Sequence, residues 1–535
     1  MITAESAATV GARGRRLLAQ LGAGLDRPAL LGDATLAWVV MGTVLVVAGA
    51  LLLFRLGAAE ICSSNEAVEA LAVQQMVEHG ELLAPLLNGR QPMFKPPLFH
   101  WTATAIARGL GTHEVTELTV RLPSVAFALG CLLITMLFVR RWLGLTNGLL
   151  AGLVLFAAYQ FFIEARFGRV DMALTCCEAL ALFTLLGWLG RGDRDDPVRT
   201  TARFADPRLY LGDAALGLGV LAKGPVGAAL PLAAVVAVLV GERRWRDLRA
   251  LASPGPVLTL LAVGSSWYLA CLATGRLDVL HRQILDENLS RFAGGIRTMS
   301  PFYYLKPLLL NSLPLSLLVP VAVVSAWRAH RARDQRAAGD VRPYALALFW
   351  VLTLIFFSIA AYKRRAYLLP LWPPAAALLV WWIHSWRDEA RRRAAKECLV
   401  ATCGVLVLFN LGFAPFAERA DCGGAQYRVA ASAINGTVPR RAPLFFDAAT
   451  SESASLLFYL DRPVPVLPDE ARDRPEGYVL MPERTWEERA GRGDLRRLTT
   501  IRLERHSLIL ADGAAARRAC GEPDAATASG TAAPR

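Results

Sequence analysis

Apolar residues in this chain fall into long runs, and short clusters of charged residues separate them. A membrane-spanning helix requires about 20 predominantly apolar residues, with a range of about 17–25. The pattern predicts about eleven spanning helices, and about 11–13 for the fold as a whole. The predicted spans are residues 37–54, 122–139, 145–163, 172–189, 209–222, 226–240, 257–273, 305–327, 344–361, 368–383 and 399–414.

Basic clusters between the runs predict the orientation of the helices. Five clusters fall on one side of the predicted spans, and lysine and arginine are concentrated in cytoplasmic loops. We therefore expect the N-terminus in the cytoplasm and the C-terminal segment outside. The clusters are RGRR (13–16), RRW (140–142), ERRWRDLR (242–249), WRAHRARDQR (327–336) and WRDEARRR (386–393).

Composition supports a membrane protein. Hydrophobic residues make up 54% of the chain and charged residues 19%, whereas soluble domains are about 45–50% apolar and about 25% charged. The net charge of +13 is explained by the cytoplasmic loops. Nucleic-acid binding is excluded because no basic stripe with interleaved aromatic residues occurs outside the runs.

The spans divide the chain into domains. The fold class is mainly α: a polytopic membrane helix bundle with a small α/β domain outside the membrane. We expect a cytoplasmic extension, a membrane domain with a large first outer loop, an outer domain and a disordered tail. These are residues 1–35, 36–416 with the loop at 55–121, 417–513 and 514–535.

Shorter segments outside the spans have their own periodicity. Residues 63–81 carry a helical apolar face. Residues 96–110 predict an interfacial helix on the outer leaflet, with Trp101 at the level of the lipid headgroups. The outer domain is predicted to contain strands and one serine-capped helix. The strands are 442–447, 464–467 and 478–481, and the helix is 451–460.

The nine cysteines show no zinc-binding spacing. Those in or beside the apolar runs are predicted to be small core residues; they are Cys131, Cys176, Cys177, Cys271, Cys398 and Cys403. Cys422 and Cys520 bracket the outer domain, where the compartment is oxidising, and are predicted to form a disulfide. A bond from Cys62 to one of them, or three free thiols, are the alternatives.

Lys95 stands in the segment MFKPPLFHW (93–101), followed by two prolines. A residue before proline is biased to extended conformations, and proline fixes its own φ. Such a lysine loses little freedom on binding and suits a point-charge contact to a phosphate. A simple turn is the competing interpretation.

Two further clusters of charge lie at the predicted outer face. In ARFGRVDM (165–172) an unpaired Asp171 is improbable at the membrane edge, because a carboxylate costs about 2.5–3.5 kcal/mol at the bilayer centre. Arg166 or Arg169 is expected to neutralise it, either as a structural ion pair or within a catalytic or substrate-orienting site. The other cluster, in YKRRAYLLPLWPP (362–374), places three cations where phosphate is the available partner; a solvated loop is its alternative.

Several short motifs follow one another in a fixed order between about Leu56 and Pro374. They are P-L-L-N-G, K-P-P-L-x-x-W, R-L-P-S, R-x-D, K-G-P, E-x-x-x-R-F and K-x-x-x-Y-x-L-P-L-x-P-P, after a helix with an acidic start. In this order the chain resembles the bacterial lipid-linked sugar transferases of the aminoarabinose-transferase and protein O-mannosyltransferase superfamily. The resemblance implies the GT-C glycosyltransferase fold and an outer C-terminal domain.

The resemblance also implies a donor, a sugar on polyprenyl phosphate, with the phosphate as leaving group. Preorganised cations would stabilise the charge that builds on the leaving oxygen. The implied phosphate contacts are Lys95, Tyr367 and one or more of Lys363, Arg364 and Arg365. The remaining predicted substrate-binding residues are Arg166, Arg169 and Arg291.

The chain departs from the family pattern at two places. The family opens its first outer helix with an aspartate–glutamate pair, and this chain has Asn65-Glu66. Asparagine cannot act as a base, so Glu66 or Asp171 takes that role if one is needed, and we favour Asp171. Phe94 and Asn288 replace a glutamate and a histidine that bind a divalent metal in some members, so no metal site and no cofactor are expected.

The predicted function is an inverting glycosyltransferase of the inner membrane, working at its outer face. Lipid A phosphate, a glycan intermediate and a protein hydroxyl are all open as acceptors, and membrane lipids are the other expected partners. An oligosaccharide ligase is the alternative enzyme. A transporter is the alternative of another class, but the sequence shows no inverted repeat and gathers its polar residues at one face.

Overall fold

The computed structural model is predominantly helical, with a small sheet near its C-terminal end. The predicted fold class is confirmed: a mainly α protein with apolar helices and a small α/β part. The structure describes residues 33–88, 91–112, 114–190, 204–294, 298–332, 340–422, 426–447, 453–460, 462–468, 475–489, 495–503 and 506–513.

The helices from the N-terminal side to the middle of the chain are α1 Asp33–Leu53, α2 Ser64–Glu78, α3 Leu98–Gly109, α4 Glu117–Leu143, α5 Leu145–Ala157, α6 Tyr159–Glu164, α7 Val170–Leu189, α8 Pro207–Lys223, α9 Val226–Gly241 and α10 Trp245–Leu251. Those that follow are α11 Pro254–Gly264, α12 Ser266–Ala273, α13 Leu277–His281, α14 Arg291–Ala293, α15 Leu305–Leu310, α16 Leu315–Arg331, α17 Arg342–Ile359, α18 Trp372–His384, α19 Glu389–Cys422, α20 Tyr427–Thr437, α21 Ser453–Leu460 and α22 Glu483–Arg489. A π-helix spans Arg282–Ser290, and 3₁₀ turns span Pro301–Tyr304 and Arg365–Leu371.

Each apolar run predicted to span the membrane is helical, but several are interrupted. Within the part of the chain that the structure describes, six helices are long and apolar enough to cross a membrane, or up to eight if each of two bent pairs counts as one span. The pairs are α11 with α12, bent by 54°, and Pro301–Leu310 with α16, bent by 113°. The run 305–327 is therefore not a straight span. Pro314 and Pro320, at its turn and inside α16, remove backbone donors that a continuous helix needs.

Helix α7 lies at the centre of the bundle. In its apolar window, 83% of the residues are buried, against 28% for α1 at the periphery. Leu182, Leu185 and Leu186 of α7 belong to one large apolar cluster with Leu216 of α8 and Leu132 of α4. A helix that is apolar all round is typical of such a central position, and it fixes the outer end of α7, where Asp171 lies.

The first outer loop contains the elements that its pattern predicts. Helix α2 carries the predicted helical face, and α3 is the short helix after Lys95-Pro96-Pro97. Between them a two-stranded antiparallel hairpin pairs β1, Leu86–Leu87, with β2, Gln91–Pro92. The Trp101 indole N–H donates to the Leu82 carbonyl at 2.8 Å, so α3 is fastened to the loop.

The C-terminal part, which is predicted to lie outside the membrane, contains a four-stranded sheet in the order β3-β4-β6-β5. β3 runs parallel to β4, and β6 is antiparallel to both β4 and β5. The strands are β3 Leu444–Phe446, β4 Tyr478–Pro482, β5 Leu495–Leu503 and β6 His506–Gly513. Two predicted strands are confirmed. The predicted strand 464–467 is wrong, because Val466 makes only an isolated bridge to Phe446, and the pattern missed β5 and β6.

The outer part packs on the first outer loop. Buried residues of both form a common apolar cluster that includes Ala70, Ile434 and Leu480. The Asn88 side chain bonds both the N–H and the C=O of Val464 at 2.7 Å. The sheet and the loop therefore share one core.

Cysteine pairing differs from the main prediction. Cys62 and Cys422 form a disulfide, so Cys422 does not pair with Cys520, which lies outside the described residues. A hydrogen bond helps to bring the two cysteines together. The Glu60 carboxylate, near Cys62 in sequence, accepts from the N–H of Tyr427, near Cys422 in sequence, at 2.7 Å. Five of the six cysteines predicted to be core residues are buried, but Cys398 is exposed on α19.

Candidate functional site

A cleft at the end of the bundle that is predicted to face outward collects residues from most of the quoted motifs. Its cavity has a volume of about 110 Å³. The polar or charged residues that line it are Lys95, Asp171, Lys223, Gln283, Glu287, Asn288, Arg291, Tyr362, Arg364 and Tyr367. Segments separated by more than 250 residues in sequence thus meet at one place.

Lys95 enters the cleft from the turn before α3. Its ammonium donates to Glu69 Oε1 of α2. The other carboxylate oxygen of Glu69 lies 2.6 Å from Nε2 of His100, which is fully buried on α3. Burial raises the pKa of Glu69, but the charge of Lys95 and the contact with His100 outweigh it, so the pKa is about 2. Lys95 is thus held by a charged carboxylate.

Asp171, at the start of α7, pairs with Lys223 of α8. The expectation that Arg166 or Arg169 neutralises Asp171 is therefore wrong. Gly224 makes the Lys223 position possible: it has φ of +104°, and a Cβ there would lie 2.8 Å from the Gln283 side chain. A residue other than glycine would be strained in that conformation and would displace Gln283.

The segment ENLSRF (287–292) supplies another ion pair to the cleft. Nη2 of Arg291 lies 2.6 Å from Oε1 of Glu287, four residues earlier in the chain. Tyr367 lines the same cleft, and the Lys223 ammonium lies 4.2 Å from the centre of the Tyr367 ring. Burial raises the pKa of Glu287, and the nearby Arg291 only partly offsets this.

The three consecutive cations of the last motif separate. Arg364 lines the cleft with Tyr367. Lys363 is buried and donates to the Met299 carbonyl at 3.2 Å and to that of Ala360. Arg365 lines a second cavity of about 60 Å³ with Arg169. Of the three, only Arg364 is positioned to act in the cleft.

Arg166 and Arg169, which were also predicted to bind substrate, make contacts within the protein scaffold instead. Arg166 donates to Glu418 at 2.8 Å and to the Leu52 carbonyl at 2.7 Å. Arg169 bonds Ser63 at 2.9 Å and Glu164 at 3.4 Å. Neither arginine lines the cleft.

The acidic start of the first outer helix also lies apart from the cleft. Glu66 accepts from Arg121 and from the Gly168 N–H, each at 2.8 Å. Burial raises the pKa of Glu66, but Arg121 and the hydrogen bonds outweigh it and lower it. Asn65 is half-buried beside Glu66 and is not among the residues that line the cleft.

The wall of the cleft is apolar. Phe94, Val226, Phe292, Phe356 and Phe357 line it beside the charged groups. Such a site suits a ligand that is both anionic and apolar. Among the residues that the structure describes, no three or more His, Cys, Asp or Glu side chains are grouped as metal ligands; the absence of a metal site stays a prediction.

Four residues of the site were not predicted from the sequence: Lys223, Glu69, His100 and Glu287. Lys223 and Glu287 stand inside quoted motifs, K-G-P and E-x-x-x-R-F, and that was the available signal. Glu69 and His100 gave none, because their 31-residue separation hides a contact that depends on how α2 packs against α3.

The chain is similar to known proteins in sequence and in fold. The family model described as dolichyl-phosphate-mannose-protein mannosyltransferase matches residues 70–278. The crystal structure of ArnT from Cupriavidus metallidurans bound to undecaprenyl phosphate has a TM-score of 0.71, with 19% identity, covering 88% of this chain and 97% of that one. The chain has the GT-C fold. The GT-C likeness extends to the oligosaccharyltransferase AglB of Archaeoglobus fulgidus, with a TM-score of 0.56, 13% identity and coverage of 83% and 69%.

The resemblance to lipid-linked sugar transferases is thereby confirmed. Two relatives are named undecaprenyl phosphate-alpha-4-amino-4-deoxy-L-arabinose arabinosyl transferase. That of Pectobacterium atrosepticum is 28% identical over 358 residues, covering 66% of this chain and 60% of its own length. That of Sodalis glossinidius is 30% identical over 367 residues, covering 65% and 61%. The matched region thus spans about three fifths of each relative.

Proposed function

We propose that this protein is an inverting membrane glycosyltransferase that transfers a sugar from a polyprenyl-phosphate donor to an envelope acceptor. The observation that carries the proposal is the cleft itself, where four cations, two tyrosines and two carboxylates meet against an apolar wall. The similarity to arabinosyl transferases supports this reaction class. The aminoarabinose-transferase structure bound to undecaprenyl phosphate supports the donor class.

The cations serve the leaving group in this proposal. As the acceptor attacks the anomeric carbon, the bond to the phosphate oxygen breaks and that oxygen keeps the electron pair. Lys95, Arg291 and Arg364 stabilise the negative charge, since cations fixed in a water-poor site need little reorganisation. Tyr367, which lines the cleft with Arg291, also contacts the phosphate in this proposal, and the phenylalanine side chains of the wall contact the first part of the polyprenyl chain.

Asp171 is proposed to act on the sugar or the acceptor. It is the carboxylate of the R-x-D motif, it lines the cleft, and Lys223 keeps it charged and oriented. With a hydroxyl acceptor it would take the proton, a contribution of typically ~10²–10⁴-fold. With a phosphate acceptor it would orient the sugar instead. Glu66 is less suited, because Arg121 and Gly168 occupy its oxygens.

The site and the C-terminal domain are proposed to face the outside of the inner membrane. A reporter that is active only outside the cytoplasm should be active when fused after Leu460 and silent when fused after Asp334. The opposite pattern would overturn the orientation.

Mass spectrometry tests the activity directly. Envelope lipids and glycans should carry a sugar modification in cells with the protein and lack it in cells with Lys95→Ala at equal protein level. The mass and position of the modification would also identify the acceptor as lipid A, a glycan or a protein. Identical envelopes in the two strains would refute the proposal.

A further inference from the structure

Three cations in the cleft are paired with carboxylates, but the pairs differ in one respect. Lys223 is bound to Asp171 and Arg291 to Glu287, and both carboxylates line the cleft themselves. Glu69, the partner of Lys95, does not line it. It is 1% exposed and lies behind the lysine.

Glu69 also has a second partner. His100 Nε2 contacts the oxygen of Glu69 that Lys95 does not use. His100 is fully buried, and its Nδ1 has no hydrogen-bond partner among the residues that the structure describes. A neutral imidazole that donates from Nε2 to Glu69 fits this arrangement, since it leaves an acceptor rather than a donor unsatisfied. The carboxylate therefore stays hydrogen-bonded even when Lys95 turns away.

We propose that Glu69, held by His100, is a counter-ion that competes with the donor phosphate for Lys95 and so weakens the hold of the cleft on the polyprenyl phosphate after transfer. The inference rests on the proposed function, because it takes a polyprenyl phosphate as the ligand of Lys95. Glu69 is a positioning residue: it acts through Lys95 and does not touch the ligand.

The physical reason is the sharing of one ammonium between two anions. Lys95 is paired with Glu69, and its side chain is 13% exposed. A phosphate that binds Lys95 must draw the ammonium toward itself against this attraction. Without the Glu69 charge the phosphate would bind more tightly and leave more slowly. Without the hydrogen bond from His100, Glu69 would depend on Lys95 alone and hold it more firmly.

Two substitutions should therefore change affinity in opposite directions. Binding of a polyprenyl phosphate to the purified, full-length protein in lipid nanodiscs would be measured. Glu69→Gln, which keeps an oxygen for Lys95, should tighten binding roughly three- to tenfold, the scale of a partly screened charge pair. His100→Leu should weaken binding, and His100→Gln, which can donate to Glu69, should restore it. A merely structural role would weaken binding in both Glu69→Gln and His100→Leu.

Controls separate this inference from the proposed function. Glu117→Gln changes another buried outer-loop carboxylate, bound by Arg428 and Tyr459 away from the cleft, and should leave affinity unchanged. The pair Lys95→Ala with Glu69→Gln should bind no better than Lys95→Ala alone. If Lys95→Ala binds like the wild type, the proposed donor site is wrong. If Lys95→Ala loses binding but Glu69→Gln is unchanged or weaker, only the counter-ion role is wrong.

Discussion

Two kinds of buried ion pair occur at the end of the bundle that holds the cleft. In the scaffold kind, both partners are sealed: Arg121 and Glu66 are each 1% exposed, and Arg121 also donates to the carbonyls of Leu56 and Ala59. In the cleft kind, the cation keeps an open side: the Lys95 and Lys223 side chains are 13% and 18% exposed, and both line the cavity. All three cations stand in motif segments, so motif membership alone does not identify a ligand-binding residue.

The two kinds of pair differ in which groups accept hydrogen bonds from the remaining donors of the cation. Backbone carbonyls take the remaining donors of Arg121, so no donor is left for a ligand. The cleft lysines have donors that face the cavity, and a phosphate can take them. Substitutions in the scaffold pairs should therefore change stability, and substitutions in the cleft pairs should change turnover.

The largest expected effect is on Lys95. Lys95→Ala should reduce transfer by about 10²–10³-fold, the cost of removing one fixed donor from a developing anion, while the amount of folded protein stays normal. Lys95→Arg should rescue only partly, because a planar guanidinium differs in geometry from a point-charge ammonium. Transfer rates of the reconstituted variants measure this. Near-normal activity of Lys95→Ala would place Lys95 among the scaffold cations.

Asp171 and Glu66 form the next comparison. Asp171→Asn should lower the transfer rate by at least about 10²-fold, through lost proton transfer or lost pairing with Lys223. Glu66→Gln should retain turnover per folded molecule. Both are measured in lipid-reconstituted protein at matched amounts. A dead Glu66→Gln beside an active Asp171→Asn would reverse the assignment.

Arg121 tests the scaffold side. Arg121→Met leaves the buried Glu66 without its cation, a change of typically about 3–5 kcal/mol in the free energy of unfolding. We expect a large loss of folded protein and a lower midpoint of thermal unfolding, with turnover per folded molecule little changed. Normal stability combined with loss of transfer would make Arg121 a functional residue.

The smallest effect concerns pH. Burial raises the folded-state pKa of Glu287 above its ordinary value, so the folded protein binds the proton more tightly than the unfolded chain. Stability from this group is present at low pH and is lost as pH rises through the unfolded and then the folded pKa. Glu287→Gln should flatten that part of the pH dependence of thermal unfolding. For Glu69, whose pKa is about 2, the sign is opposite and the loss occurs only as pH falls toward 2.

Much of the fold was predictable because apolar runs of spanning length carry a strong signal. The positions where these runs are interrupted were not predictable, since the bend at Pro314 depends on packing against neighbouring helices. Strands β5 and β6 escaped because Arg496, Arg497 and Arg502 in β5 obscure a simple alternation. In a sheet with one face toward solvent, such residues are tolerated.

The site was predictable in its motifs and not in its pairings. Lys95, Arg291, Arg364 and Tyr367 line one cleft, as expected of substrate-binding residues; their roles stay predictions. The partner of Asp171 depends on the packing of α7 against α8, which brings Lys223 across 52 residues. Nearby arginines in the sequence were a poor guide, because Arg166 and Arg169 point into different parts of the scaffold.

The bond between Cys62 and Cys422 closes a covalent ring of the chain, and the two cysteines have a sequence separation of 360. Helices α2 through α19 all lie within that ring. A single protease cut between α9 and α10, for example after Arg243, would therefore leave two fragments that separate in a gel only after a reductant is added. The chain is thus a covalent ring with one segment before Cys62 and one after Cys422. The segment after Cys422, which carries the four-stranded sheet, remains covalently attached to the part that forms the cleft even when a loop is cut.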